Sequence, residues 1–177
     1  CLCKILIYSR NSMKKYIFIA VIAFVLGSGF AIAQQRIAVL PFRNMDGNLA
    51  LNTWCGKLSD SVAAGLRLHD TAGKYYFVVP QDSVAEILAT LNLDPTNPQY
   101  ESDMWKAVAM LNIQRVITGN FNVQSGKMLI NCYNYDVETK MPNPVGQARN
   151  LFKSVEKPLE TVPTIINKML LGLIPKE

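Results

Sequence analysis

The residues that could do chemistry in this chain are few and far apart. His69 is the single histidine. It closes an amphipathic run, where an imidazole meets helix-end carbonyls, and no motif supplies the partner that a nucleophile–base pair needs. There is no G-x-S-x-G elbow. Asp46, Asp60, Asp82 and Asp94 are scattered through cap and turn sequence and are not paired as the acid and base of a glycosidase would be. The stretch GNFNVQSGKM, residues 119–128, carries the lysine of a phosphate loop. Phe121, however, stands where its first glycine is required, and Met128 stands where Ser or Thr should follow Lys127. Cys55 and Cys132 fall in neither CxxC nor metal-ligand spacing. The sequence therefore offers no catalytic, cofactor-binding or metal-binding set.

Recognition chemistry remains. Tyr75, Tyr76, Tyr133, Tyr135, Trp54 and Trp105 could line a sugar or peptide site, or fill a core. Which of these holds depends on the elements that carry them, and the clearest element is a hairpin. Two β runs flank QSGK, residues 124–127. A two-residue turn at Ser125-Gly126 fixes the pairing by counting outward. Val123 then faces Met128, Phe121 faces Ile130, Gly119 faces Cys132 and Ile117 faces Asn134, giving one mostly apolar face. The other face pairs Asn122 with Leu129, Asn120 with Asn131 and Thr118 with Tyr133. Asn120, Asn122, Asn131 and Tyr133 are thus expected to share one surface. There, amides can hydrogen-bond a partner's backbone and tyrosine adds contact area at low entropic cost. The plainer alternative is a solvated sheet face.

Around the hairpin the chain reads as one domain. Ile37 to Leu40 is an apolar run suited to a strand buried on both faces, ended by Pro41. Asn44 to Asn48 is a turn cluster. A helix follows over about 51–68, its stripe formed by Leu51, Trp54, Cys55, Leu58, Val62 and Leu66. YYFVVP, residues 75–80, is a second strand. A helix over about 81–91, the loop DPTNP at 94–98, and a helix from a Ser102 N-cap to Leu111 come next, with Asn112 as a left-handed C-cap. After the hairpin and a Pro142/Pro144 turn, a strand over about 145–152 and a helix over about 161–171, stopped by Gly172, complete the chain. The order β-α-β-α-α-β-β-β-α predicts an α/β fold: a single domain with a mixed β-sheet of about five strands covered by helices.

The amino-terminal part reads differently. MKKYIFIAVIAFVLGSGFAIAQQ, from Met13, has the basic start, apolar stretch and Ala31-x-Ala33 end of a secretory signal. We expect residues 1–12 to be a non-native leader, residues 13–33 a signal peptide cut between Ala33 and Gln34, and residues 34–177 the domain. An uncleaved inner-membrane anchor is the alternative, since Tyr16 to Ala33 approaches the ~18 residues a span requires. Cleavage would leave only Gln34 and Gln35 ahead of the first strand, and no membrane span in the mature form. The chain has 18 basic and 13 acidic residues, a net +5. Lys4, Arg10, Lys14 and Lys15 precede Ala33, so 14 basic residues face 13 acidic ones after it, a net +1 with no basic cluster for nucleic acid. Export permits a disulfide, but Cys55 and Cys132 both lie on core faces and are expected as buried thiols.

The opening strand, IAVLPFRNMDG, resembles that of the TolB amino-terminal domain and its relatives, I-A-V-L-P-F-x-N-x-x-G. Ile37 through Phe42, Asn44 and Gly47 match. AVAMLNIQRVITGNF, residues 107–121, is similar to the family's helix, leucine–glycine and strand ending in glycine. Ala109, Leu111, Val116 and Gly119 match, and Asn112 replaces a glycine. INCYNYDVETK, residues 130–140, resembles its strand closing on Asp-x-x-Thr-Gly. Ile130, Asp136 and Thr139 match, Lys140 replaces the glycine, and Asn134 replaces a hydrophobe. CsgG-like, FlgO-like and penicillin-binding-protein-activating lipoproteins share this framework. The resemblance implies a non-enzymatic bacterial envelope protein, periplasmic, without cofactor, that binds envelope protein partners. A periplasmic small-ligand binder, with a pocket near Pro41 to Asn48, is the alternative.

Overall fold

The structure is a computed structural model that describes residues 34–175; the leader and signal segment lie outside the described residues. The first strand, β1 (Gln35–Val39), is followed by a two-residue strand, β2 (Arg43–Asn44), a 3-10 turn at Leu49–Asn52, and α1 (Thr53–His69). Then come β3 (Tyr76–Val78), α2 (Gln81–Thr90) and α3 (Tyr100–Leu111). The hairpin strands β4 (Arg115–Gln124) and β5 (Lys127–Asp136), the long strand β6 (Pro142–Ser154), a 3-10 turn at Pro158–Thr161, and α4 (Val162–Leu173) complete the fold. The sheet runs β3-β1-β4-β5-β6, with β2 pairing β4 as a sixth strand, and does not close into a barrel. β3, β1 and β2 are parallel to their neighbours, whereas β4, β5 and β6 form an antiparallel meander.

Two cores follow from this topology. β1 lies between β3 and β4 and its side chains alternate, so Ile37 and Val39 enter one core while Ala38 and Leu40 enter the other. α1 and α4 cover the first core with Leu58, Val62, Leu66, Ile165 and Met169. α2 and α3 cover the second with Val84, Leu88, Met104 and Val108. The helical stripe of α1 is the expected one, except that Trp54 is only half-buried. Cys55 and Cys132 are both buried free thiols, and burial pushes both pKa values up.

The hairpin has the predicted register throughout, from Ile117–Asn134 to Val123–Met128. Ser125 (φ 49°) and Gly126 (φ 75°) supply the two positive φ values of a type I′ turn. Asn112 takes the left-handed cap (φ 49°, ψ 59°). Lys140, the other position where the resembling family has glycine, also sits at positive φ (56°). Both departures occupy the backbone that a glycine would, at a cost of about 1 kcal/mol for a residue as bulky as lysine.

Four local expectations are corrected. Pro41 ends β1, but the chain resumes pairing with β4 at Arg43–Asn44, held by Met45 N–H donating to Phe121 O at 2.8 Å. Ser102 is not an N-cap: α3 begins at Tyr100, and the Ser102 hydroxyl donates to Gln99 O within its first turn. Pro142 and Pro144 lie inside β6 rather than in a turn before it, which an edge strand tolerates because its outer amides need no partner. Gly172 lies within α4, where it allows the helix to approach Gly146 and Asn134 of the sheet. β6 is an exposed edge, and its prolines, Arg149, Lys153 and two register shifts make it a poor template for strand addition.

Candidate functional site

The second face of the sheet is covered by helices only in part. α2 and α3 lie over β1 and the first half of β4. Farther along, Asn120, Asn122, Leu129, Asn131 and Tyr133 remain half-exposed, and Phe152, paired with Leu129, is exposed. The four residues singled out in the sequence, Asn120, Asn122, Asn131 and Tyr133, thus share this one face, as the register requires. They are not equivalent. Asn131 Nδ2 donates to Asn120 Oδ1 at 3.0 Å, and Asn131 Oδ1 accepts from the Asn150 backbone N–H at 2.9 Å. Asn150 is at positive φ beside a register shift between β5 and β6, so Asn131 pins that irregularity. Its amide is committed to the fold. Asn120 keeps its own Nδ2, and Asn122 keeps its whole amide, without a partner among the described residues. Thr118 lies deeper, its hydroxyl donating to Pro41 O at 3.1 Å.

Toward α3 the face deepens into a cleft lined by Arg43, Tyr100, Glu101, Met104, Thr118, Gly119, Asn120, Tyr133 and Tyr135, around a cavity of about 20 Å³. Its walls are aromatic. Tyr133 and Tyr135 stack at 5.9 Å in a tilted pair, and Trp105 meets Tyr135 edge-on, also at 5.9 Å. Lys140 Nζ stands 5.5 Å over the Trp105 ring. Arg43 Nη1 donates to Glu101 Oε2 at 2.9 Å across the rim. At the far end of the aromatic cluster Arg115 approaches Asp136 at 3.5 Å. The Thr139 backbone N–H, then the Thr139 hydroxyl and Arg115, hold the Asp136 carboxyl below the usual range. Burial first, then the nearby Glu101 carboxylate, push the Tyr135 phenol up, so it stays protonated.

The six aromatic residues weighed in the sequence therefore divide. Tyr76 is core, its hydroxyl donating to Leu66 O at 2.9 Å and its pKa pushed up to about 12 by burial. Tyr133 and Tyr135 line the cleft, and Trp105 backs Tyr135 from the second core. Trp54 and Tyr75 lie against the other core, each under a lysine ammonium. Sequence reading missed Arg43 and Tyr100. Arg43 enters the cleft because β2 continues along β4, and Tyr100 because α3 starts two residues earlier than its serine suggested. His69 sits exposed at the end of α1, away from this cleft. Among the described residues no group of three His, Cys, Asp or Glu is placed to hold a metal ion.

No protein-family model matches the chain, and no curated protein does. Solved structures do. Lipoprotein GNA1162 from Neisseria meningitidis superposes with a TM-score of 0.51 at 19% identity, covering 78% of this chain and 99% of that one. The chain has that lipoprotein's fold. Looser likenesses are the LpoB C-terminal domain from Salmonella enterica (TM-score 0.47, 13% identity, 71% and 89% covered) and TolB from Acinetobacter baumannii (TM-score 0.41, 16% identity, 78% and 29% covered). The TolB alignment spans less than a third of that protein.

Proposed function

We propose that this chain is a non-enzymatic partner-binding module of the bacterial envelope, of the TolB amino-terminal or CsgG–FlgO type, acting in the periplasm. It docks envelope proteins on the uncovered half of its second sheet face. The observation that carries this reading is the face itself: unbonded amide donors on Asn120 and Asn122 beside a tyrosine–tryptophan cluster, flanked by the exposed Phe152. Rigid aromatics rimmed by adaptable amides suit recognition of protein surface. The fold shared with a Neisserial lipoprotein supports an envelope setting. A small-ligand binder is less well supported. Beside Pro41 to Asn48, where a ligand pocket was expected, the cavity of about 20 Å³ takes one water or one oxygen of a larger group and does not enclose a metabolite.

The double substitution Asn120→Arg with Tyr133→Ala is expected to abolish partner capture, measured by crosslinking and mass spectrometry of envelope extracts. Both side chains are half-exposed, so thermal stability should change little. Capture at the wild-type level would leave this face as solvated sheet. Export with cleavage between Ala33 and Gln34 belongs to the same proposal. No described helix is long and apolar enough to cross a membrane. Intact-mass analysis of protein from the native envelope should give a chain beginning at Gln34; a membrane species retaining Met13 would refute cleavage.

A further inference from the structure

The cleft beneath the start of α3 holds an unused hydroxyl. Tyr100 is 3% exposed, yet its Oη has no hydrogen-bond partner among the described residues. Burial pushes its pKa far up, so the group stays a neutral donor. An orphaned buried hydroxyl costs free energy unless something reaches it. The cavity it lines, about 20 Å³, accepts one water or one oxygen of a larger group.

Other donors surround the same cavity. Among the described residues the Arg43 side chain pairs only with Glu101, whose side chain is 63% exposed against 23% for Arg43. A pair so exposed on its acidic side exchanges readily for another carboxylate. Asn120 keeps its Nδ2, because its bond with Asn131 uses only its Oδ1. Lys140 does not line the cleft; it stands over the Trp105 ring, which packs on the Tyr135 wall, and forms no ion pair among the described residues. Of the remaining lining, Met104, Tyr133 and Tyr135 are apolar or aromatic, Gly119 has no side chain, and the Thr118 hydroxyl is spent on Pro41 O. Of the Arg43–Glu101 pair, Arg43 is the more enclosed and Glu101 the one free to swing out, so the charge left facing a ligand is positive, and a neutral ligand would give it no counter-charge. A carboxylate suits each of these groups.

We propose that this cleft is an anchor site for an acidic side chain, aspartate or glutamate, carried on an extended segment of the partner protein. The carboxylate replaces Glu101 on Arg43. One of its oxygens takes the Tyr100 hydroxyl and the other the Asn120 amide, while the tyrosines cover its methylenes. Glu101 serves as the internal occupant of the empty site. The inference rests on the partner-binding reading above and names the chemistry of its anchor.

The test is a ¹⁵N NMR titration of the chain at pH 7 with capped peptides Gly-Gly-X-Gly-Gly, where X is Glu, Gln or Lys. The Glu peptide is expected to shift the Asn120 side-chain amide and the backbone signals of Arg43, Tyr100, Glu101 and Gly119, and to saturate. The Gln and Lys peptides should bind at least about tenfold more weakly. Glu101→Gln should tighten the Glu peptide several-fold by removing its competitor, and Arg43→Met should abolish the shifts while the rest of the spectrum stays that of the folded chain. Equal response to Glu and Gln peptides, shifts spread over surface lysines, or no tightening in Glu101→Gln would each overturn the proposal; so would no response at all, with an ordered water then left to satisfy Tyr100. Envelope capture separates the two levels. Loss in the Asn120→Arg/Tyr133→Ala variant but retention in Arg43→Met would keep the docking face and discard the acidic anchor.

Discussion

Gly119→Ala is expected to destabilise the domain by about 3 kcal/mol or more, at the upper end of what overpacking costs. Gly119 pairs with Cys132 in the middle of the hairpin. A Cβ built on it would run into the backbone carbonyl oxygen of Asn131 and stand 2.6 Å from Cε1 of Phe42. Neither neighbour can yield cheaply. The carbonyl belongs to the adjacent strand, and the Phe42 ring is fully buried. The glycine is a seat for that ring: Pro41 ends β1, the chain bulges, and Phe42 folds back over the one position of β4 without a side chain. Urea unfolding measures the loss. Gly56→Ala is the control, since nothing lies within 4 Å of a Cβ there. In a helix interior that change should be neutral or stabilise by up to about 1 kcal/mol. A Gly119→Ala midpoint equal to that of Gly56→Ala would show that the seat is not needed. Phe42→Leu in the Gly119→Ala background should recover only part of the loss, because the carbonyl obstruction remains.

The second large effect runs the other way. Asn134→Leu is expected to stabilise the domain by about 1–3 kcal/mol, the penalty of a buried amide left unsatisfied. Asn134 is fully buried, and neither its Nδ2 nor its Oδ1 has a partner among the described residues. It faces Ile117 across the hairpin and is wedged where α4 crosses the sheet. There it lies within 3.2 Å of the positions that side chains on Gly146 or Gly172 would take. The resembling family usually has a hydrophobe here, and leucine is close to asparagine in shape, so the change removes the polar atoms without opening a cavity. Thermal unfolding should show a rise of about 2–4 °C per kcal/mol for a domain of this size. A loss of stability in Asn134→Leu that the smaller Asn134→Val does not share would mean that leucine's methyls overpack the site beside Gly146 and Gly172, and a loss in both would mean that the amide is bonded, for instance through a buried water.

The hairpin was legible from its residues alone because its information is local. Ser125-Gly126 fixes the turn, strict alternation of apolar side chains fixes the register, and each constrains the other within about twenty residues. The helical stripes of α1 and α4 and the left-handed cap at Asn112 were legible for the same reason, since period and cap chemistry are read over a few turns. The mixed sheet followed from the order of these elements.

What tertiary structure alone decided was how those faces are used. The amides of Asn120, Asn122 and Asn131 look alike in the sequence, yet only the bulge at Asn150, contributed by β6, commits Asn131 to the fold. Arg43 and Tyr100 are separated by more than fifty residues and carry no shared motif. They meet because β2 continues along β4 and the first turn of α3 lies over the same strand. Asn134 stands on an apolar face in any pairing diagram, and only the approach of α4 deprives it of water. Local sequence determines backbone dihedrals and register through sterics and short-range hydrogen bonds. Burial of a polar group depends on which distant element packs over it, and that is settled by the whole chain folding at once.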